Sequence, residues 1–296
     1  MKETIMNRSR YWAMLIIVLA IAVSFISFSS FSQEKVKAQE EGYIGAEACK
    51  ECHPDLYEGF KRDNPHWKNI LDPKVPPDKK GCESCHGPGE KHAESEGKGF
   101  ILSLKYGGPK VLGEACLRCH QKEKTFFQFN RGVHRLSAVG CNDCHQIHGT
   151  QITKNLLKGK ETALCFSCHQ EVKSKFYLPT RHKVLEGALK CSDCHTPHGT
   201  RTRASLKKWN KFNDDVCFKC HPEKRGPWVF EHASVKVEGC STCHSPHGSP
   251  NRFLLIRRDV RTVCLECHGQ RHFPKFSCVN CHAQIHGSNF SSRFLQ

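Results

Sequence analysis

Apolar residues are concentrated in one run near the amino terminus and are scattered along the rest of the chain. The run extends from Trp12 to about Phe28 and follows Lys2, Arg8 and Arg10. Further along, the segments are short, are interrupted by Gly, Pro, Asn and Ser, and show little sustained period of 3.6 or of two residues. The pattern therefore predicts short α-helices and irregular loops, with little or no β structure.

Residues 1–38 have the order of an export signal: a basic segment, an apolar run and a polar stretch. Cleavage could follow Ser32 or Ala38. The alternative is an uncleaved anchor that contacts the membrane through residues 12–28, because roughly 17 apolar residues are at the lower limit for spanning a bilayer. In both cases we expect the chain to be exported to the periplasm, and we expect residues 39–296 to form one functional domain.

The composition leaves few side chains for an ordinary core. Hydrophobic residues make up 38% of the 296 positions and include 20 cysteines, while 22 positions are glycine and 14 are proline. A domain of this length normally buries a large apolar interior. We therefore expect something other than side chains to fill it.

Every cysteine belongs to a Cys-x-x-Cys pair that is followed directly by histidine. The ten pairs are Cys49 and Cys52, Cys82 and Cys85, Cys116 and Cys119, Cys141 and Cys144, Cys165 and Cys168, Cys191 and Cys194, Cys217 and Cys220, Cys240 and Cys243, Cys264 and Cys267, and Cys278 and Cys281. The motif histidines are His53, His86, His120, His145, His169, His195, His221, His244, His268 and His282.

This spacing is the signature of covalent haem c attachment. On one helical turn the first cysteine, the second cysteine at i+3 and the histidine at i+4 share a face, so two thioethers and one axial ligand can address one porphyrin. Zinc ribbons do not require a histidine after every pair, and redox Cys-x-x-Cys sites would need a βαβ context. Ten motifs predict ten haem c groups with their iron.

Counting predicts the second axial ligand. The ten histidines outside the motifs are His66, His92, His134, His148, His182, His198, His232, His247, His272 and His286. All three methionines lie in the export segment, which excludes methionine ligation in a cleaved protein. We therefore predict bis-histidine iron at every haem, with low potentials. Which of these spare histidines serves which haem is not readable from spacing.

The motifs form five tandem pairs of alternating type, which predicts five dihaem modules. In the first type a long gap separates the motif from the next spare histidine, as between His169 and His182. In the second type a spare histidine follows almost at once, as in Cys-Ser-Asp-Cys-His-Thr-Pro-His-Gly ending at Gly199. Tandem modules favour an elongated array around a stacked chain of haems. Residues 287–296 are expected to be a short tail.

The formal charge of +16 becomes +13 without residues 1–38. A bis-histidine ferric haem contributes about −1 through its propionates, so the basic excess is interpreted as counter-charge for haems. Nucleic-acid binding is not predicted.

The ten motifs, the alternating His-Gly repeats and the segment Cys-Glu-Ser-Cys-His-Gly-Pro-Gly at 82–89 resemble the DmsE/MtrA-type decahaem cytochromes. The resemblance covers about residues 45–287. It implies a periplasmic electron conduit, with other redox proteins, an outer-membrane β-barrel porin and an extracellular multihaem cytochrome as partners.

Three functions compete on this evidence. The first is a non-enzymatic conduit from periplasmic or quinol-linked donors to an outer-membrane or extracellular acceptor. The second is a soluble electron donor to a periplasmic terminal reductase. The third is a multihaem reductase, which requires an open coordination position on one iron; His66, His92 and His272, with their irregular spacing, are where a missing ligand would be sought.

Overall fold

The computed structural model describes residues 42–68, 72–104, 106–123, 126, 128–148, 154–207, 216–269 and 276–295. The predicted export segment and His272 lie outside these ranges. Within them, no helix is both long and apolar enough to cross a bilayer.

Short helices and loops make up the described chain, as the sequence predicts. The α-helices are Ala46–Lys50, Pro54–Asp63, Glu83–His86, Glu90–Glu94, Gly108–His120, Val133–Leu136, Cys141–Cys144, Glu161–Cys168, Gln170–Lys175, Cys191–Cys194, Ala233–Val237 and Val260–Leu265. Shorter 3-10 turns lie at Pro65–Trp67, Pro77–Lys79, Phe129–Arg131, Lys154–Leu156, Arg203–Ser205, Val216–Lys219, Pro222–Lys224, Cys240–Thr242, Arg252–Leu254 and Cys278–Asn280. Five of these α-helices end at the second cysteine or at the histidine of a Cys-x-x-Cys-His motif.

The chain divides into two compact units. The first comprises residues 1–116 and 147–152, and the second comprises residues 117–146 and 153–296. Side-chain cores are small in both. In the second unit Phe166, Phe176 and Val184 form a buried cluster, and in the first unit Tyr57 is 5% exposed. This agrees with a composition that leaves few apolar side chains for burial.

A buried carboxylate joins residues 44 and 45 of the first unit to its second motif. Glu83, which is 3% exposed, accepts hydrogen bonds from the backbone N–H groups of Ile44, Gly45 and Gly89 at 2.8–3.0 Å. Three donors satisfy the charged group inside the unit. Glu83 therefore anchors residues 44 and 45 beside the helix that carries Cys85 and His86.

The expectation of a short tail at residues 287–296 is wrong. Gly287–Ser288 forms a two-residue strand, β2, that pairs antiparallel with β1 at Phe230–Glu231. Ser288 is 1% exposed, and its hydroxyl accepts hydrogen bonds from the amides of Phe290 and Ser291. Gly287 and Ser288 are thus packed into the second unit, whereas Phe290 is 92% exposed.

Candidate haem-binding sites

Each of the ten Cys-x-x-Cys-His motifs lies on one turn of helix. The motif that begins at Cys116 lies inside the helix Gly108–His120. In the other nine, the amide of the motif histidine donates to the carbonyl of the first cysteine at 2.8–3.1 Å. That i to i+4 hydrogen bond closes a helical turn and brings both thiols and the imidazole close together, in the α-helical motifs and in the 3-10 turns at Cys217, Cys240 and Cys278 alike. The local backbone therefore has the form that thioether attachment requires.

Eight motif histidines in the described residues face a spare histidine across a gap of similar width. The pairs and their ring-centroid distances are His53 and His92 at 6.3 Å, His86 and His148 at 5.8 Å, His145 and His198 at 6.0 Å, His169 and His134 at 6.0 Å, His195 and His247 at 5.9 Å, His221 and His182 at 6.3 Å, His244 and His286 at 6.3 Å, and His268 and His232 at 6.0 Å.

The gap fits one metal ion between two imidazoles. A bond from a first-row metal to an imidazole nitrogen is about 2.0–2.1 Å long, so two rings on opposite sides of one ion have centroids roughly 6 Å apart. Two neutral imidazoles, with two thiols beside one of them, form the donor set of a bis-histidine c-type haem. The residues present therefore fit the predicted group.

The two members of a pair come from different parts of the repeating sequence. His169, His221 and His268 each face a spare histidine that precedes them in the chain. In contrast, each of four motif histidines faces a spare histidine that follows the second motif downstream. These four are His86, His145, His195 and His244. His53 is the exception among the first-type motifs, because its partner His92 lies downstream. Spacing could not reveal these assignments.

One histidine of every pair donates its Nδ1–H to a backbone carbonyl. Among the motif histidines, His86, His145, His195 and His244 donate to the carbonyls of Leu102, Asn155, Ala204 and Phe253 at 2.7–2.9 Å. Among the spare ones, His92, His134, His182 and His232 donate to Gly99, Pro197, Pro246 and Ile285 at 2.6–2.9 Å. A carbonyl can only accept, so the proton is on Nδ1 and the Nε2 lone pair is free for a metal.

A repeated left-handed turn supplies the carbonyls for His145, His195 and His244. In the copy after His244, Phe253 and Leu254 have φ of 57° and 58°, and the amide of Ser245 donates to the carbonyl of Leu254 at 2.7 Å. His244 and Leu255 form an antiparallel bridge. Copies occur at Asn155 and Ala204, and left-handed non-glycine residues cost roughly 1–2 kcal/mol each. Such strain is typical of functional sites, where the surrounding contacts hold it.

Sequence reasoning missed the hydroxyl residue that follows each His-Gly step. Ser249, 2% exposed, donates from Oγ to the carbonyl of Leu255 at 2.6 Å and accepts from the amide of Asn251 at 3.0 Å. Thr200 occupies the same place in the preceding repeat. The signal was present in the sequence as His-Gly-Thr at 198–200, His-Gly-Ser at 247–249 and His-Gly-Ser at 286–288. These hydroxyls hold the loop that carries the left-handed turn.

Burial keeps the spare histidines of the His-Gly steps neutral. It lowers the pKa of His198 to about 4, and the nearby His145 and His134 rings act in the same direction. Burial likewise lowers the pKa of His286 to about 4. A metal binds the neutral imidazole, so these rings are ready to coordinate without losing a proton at neutral pH.

Cysteines of successive motifs lie next to each other. The thiols of Cys49 and Cys82 are hydrogen-bonded, as are those of Cys165 and Cys191 and those of Cys264 and Cys278. Burial raises the pKa of the Cys144 thiol, with a smaller contribution from Cys168 of the next motif. Attachment points that follow one another in sequence are therefore close in space.

Bis-histidine ligation stays a prediction at every site, and His66, His120 and His282 are not among the eight facing pairs. His272 lies outside the described residues. His66 donates from Nδ1 to the side chain of Asn64 at 2.9 Å, and His282 donates to the carbonyl of Arg293 at 2.6 Å. The ring of His120 lies 2.6 Å from Glu123, measured from Nδ1 to Oε1.

Comparison with known proteins agrees with this chemistry. The family model described as "Doubled CXXCH motif" matches residues 134–174, 182–226 and 232–273. The protein "Multiheme cytochrome MtrA" of Shewanella baltica (strain OS185) is 34% identical over 201 residues, which are 64% of this chain and 57% of that protein. The chain thus matches little more than half the length of this curated relative. The match confirms the resemblance inferred from the motifs and supports covalently bound haem c.

Proposed function

This chain resembles the MtrA-type multihaem cytochromes, and on that premise we propose that it carries ten covalently bound haems and transfers electrons along them. The observation that carries the proposal is the set of eight histidine pairs, each with a motif imidazole about 6 Å from a spare one. When bound, each haem would supply a one-electron iron couple.

The chain's own residues would attach the haems, ligate their iron and orient the ligands. The twenty motif cysteines would hold the porphyrins covalently, and the paired histidines would ligate the iron. The Nδ1 hydrogen bonds to backbone carbonyls would orient the rings and raise their basicity. The adjacency of thiols such as Cys49 and Cys82, or Cys264 and Cys278, supports short steps between successive sites within the proposed five dihaem modules.

The eight described histidine pairs favour electron transfer over catalysis. A reductase acting on a small oxyanion needs an open position on iron, and His92, one of the three histidines with irregular spacing, faces His53 at 6.3 Å. We therefore infer an electron-transfer protein without a substrate-binding iron.

We further infer the direction and the partners from the resemblance and from the export pattern in residues 1–38. Electrons would pass from periplasmic or quinol-linked donors toward an outer-membrane or extracellular acceptor, with an outer-membrane porin and an extracellular cytochrome as partners. The alternative is a soluble donor to a periplasmic terminal reductase. Chemical cross-linking in cells separates them, since recovery of a β-barrel protein supports the conduit and recovery of a molybdenum enzyme supports the alternative.

The direct test of the electron-transfer proposal is the haem content and ligation of the purified holoprotein. Pyridine haemochrome and mass spectrometry should count ten haems, and EPR should show every iron low-spin. His247→Ala should convert one haem to a high-spin form that binds carbon monoxide, whereas the exposed-site control Asn130→Ala should not. A high-spin, ligand-accessible haem in the unaltered protein would instead favour an enzyme.

A further inference from the structure

The carbonyl group of the residue before one spare histidine accepts a hydrogen bond from the ring of another spare histidine. His182 donates from Nδ1 to the carbonyl of Pro246 at 2.7 Å, and Pro246 directly precedes His247. His182 faces His221, whereas His247 faces His195. One peptide group therefore links imidazoles that belong to two different pairs.

The same link occurs in two other places in the second unit. His134 donates to the carbonyl of Pro197, beside His198, and His232 donates to the carbonyl of Ile285, beside His286. In each case the donor ring and the neighbouring ring belong to the pairs of consecutive motifs. These are His169 with His145, and His268 with His244.

Glycine after the second ring permits the close approach. A Cβ built on Gly248 would lie 1.9 Å from the carbonyl oxygen of Lys175, and one on Gly199 would lie 2.8 Å from the Cα of Gly132. One on Gly287 would lie 2.1 Å from the Trp228 ring. Each of these distances is below 3.0 Å, which Cβ atoms essentially never show, so an added methyl group would force its neighbour to shift.

Backbone hydrogen bonds complete the contact around Gly248. Thr180 and Ser249 exchange two of them, at 3.2 Å from the Thr180 amide and at 2.8 Å from the Ser249 amide. The segment from Thr180 to His182 is therefore held against the segment from Pro246 to Ser249. Gly248 thus lies where the segment that carries His182 and the segment that carries His247 are joined.

We propose that Gly248, with its counterparts Gly199 and Gly287, is a positioning residue that holds axial ligands of two haems at once. The inference rests on the proposed haem ligation and goes beyond it. Each of these glycines follows a histidine that would ligate one haem, and the glycine would also position the histidine of the next haem. Consecutive haem sites are locked together through this one close contact.

Gly248→Ala in the full holoprotein tests the proposal. Gly248 has no positive φ, so the methyl group acts through steric overlap alone. We expect two haem equivalents, those of His195 and His221, to lose low-spin character together and to bind carbon monoxide, while haemochrome still counts ten haems. The matched control is Gly159→Ala, where nothing lies within 4 Å of the added Cβ.

If Gly248→Ala yields no holoprotein, Gly199→Ala repeats the test with a smaller overlap, on the haems of His145 and His169. Gly187→Ala is its control, because Gly187 shares the positive φ but has open space around the Cβ. A change in one haem alone, or in none, would overturn the inference. If the unaltered protein lacks ten low-spin haems, the proposed function itself has failed.

Discussion

Asn64 accepts a hydrogen bond from Nδ1 of His66 at 2.9 Å and donates through its amide to the carbonyl of Ile147, the residue before His148. Elsewhere a spare histidine donates directly to the residue before another spare histidine, as His182 does to Pro246. In the first unit one side chain, 5% exposed, takes the place of that direct contact. Asn64 is thus a local variation on a repeated link.

Replacing Asn64 with Asp should lower the reduction potential of the haem that His66 is proposed to ligate. A carboxylate accepts more strongly than an amide, so the His66 ring would become a more basic ligand and stabilise ferric iron. The substitution also removes the hydrogen bond to the carbonyl of Ile147, because a carboxylate cannot donate. A spectroelectrochemical titration should show one component moving to lower potential. Asn130→Asp, an added charge at an exposed site, should leave the curve unchanged, and an equal shift in both variants would contradict the role of the hydrogen bond.

The histidine pairs should give two kinds of low-spin EPR signal. The imidazole planes of His134 and His169 meet at 54° and those of His182 and His221 at 58°, whereas the other described pairs lie between 10° and 30°. Turning the planes apart makes the two π-type iron orbitals more nearly equal in energy, which raises the largest g value.

Two variants assign those signals. His182→Ala should remove a component with a large maximal g value, and His198→Ala should remove a rhombic one, because its ring lies at 21° to that of His145. Low-temperature EPR of the oxidised variants is the measurement. Loss of the same component in both would show that the observed plane angles do not persist in the holoprotein.

Glu83→Ala should loosen the start of the first unit. The substitution leaves three buried N–H groups without their charged acceptor, at a cost on the order of 3 kcal/mol. Amide exchange of Ile44 and Gly45, measured by mass spectrometry, should become faster. Glu83→Gln keeps one acceptor oxygen and should give a smaller effect, and the exposed Glu94→Gln should give none.

Ser249→Ala should destabilise the loop that reaches the His244 ring. Removing the buried hydroxyl leaves the carbonyl of Leu255 and the amide of Asn251 with fewer partners, which costs about 1–3 kcal/mol. Hydrogen exchange at Asn251 should accelerate. Ser249→Thr should behave like the natural chain, because threonine fills the equivalent position at Thr200; an unaffected Ser249→Ala would remove this role.

The helical turns and their chemistry could be predicted from the sequence because Cys-x-x-Cys-His is a local pattern. All ten motifs lie on such turns, and short helices with loops follow from the lack of periodicity. Histidine pairing could not be predicted in this way. His198 reaches His145 only through the folding of the segment between them, and that depends on packing rather than on spacing.

The carboxyl-terminal residues show the same limit. Their polar composition favoured a tail, but pairing with Phe230–Glu231 buries Ser288 and brings the carbonyl of Ile285 to His232. A two-residue strand has no periodicity to detect. The role of glycine after histidine was equally invisible, since a close backbone approach leaves no mark on the sequence other than the glycine itself.

The pairing of His53 with His92 has a consequence for how such a protein can grow. Other first-type motifs with a described partner borrow a histidine from the repeat before them, and the first motif meets its need with a histidine downstream. The first repeat therefore needs no histidine from a preceding repeat, much as the capping repeat of a repeat protein needs no further neighbour. Gene duplication could add histidine pairs by inserting whole repeats in the interior, but a repeat added ahead of His53 would supply a second histidine able to face the ring that His92 already faces.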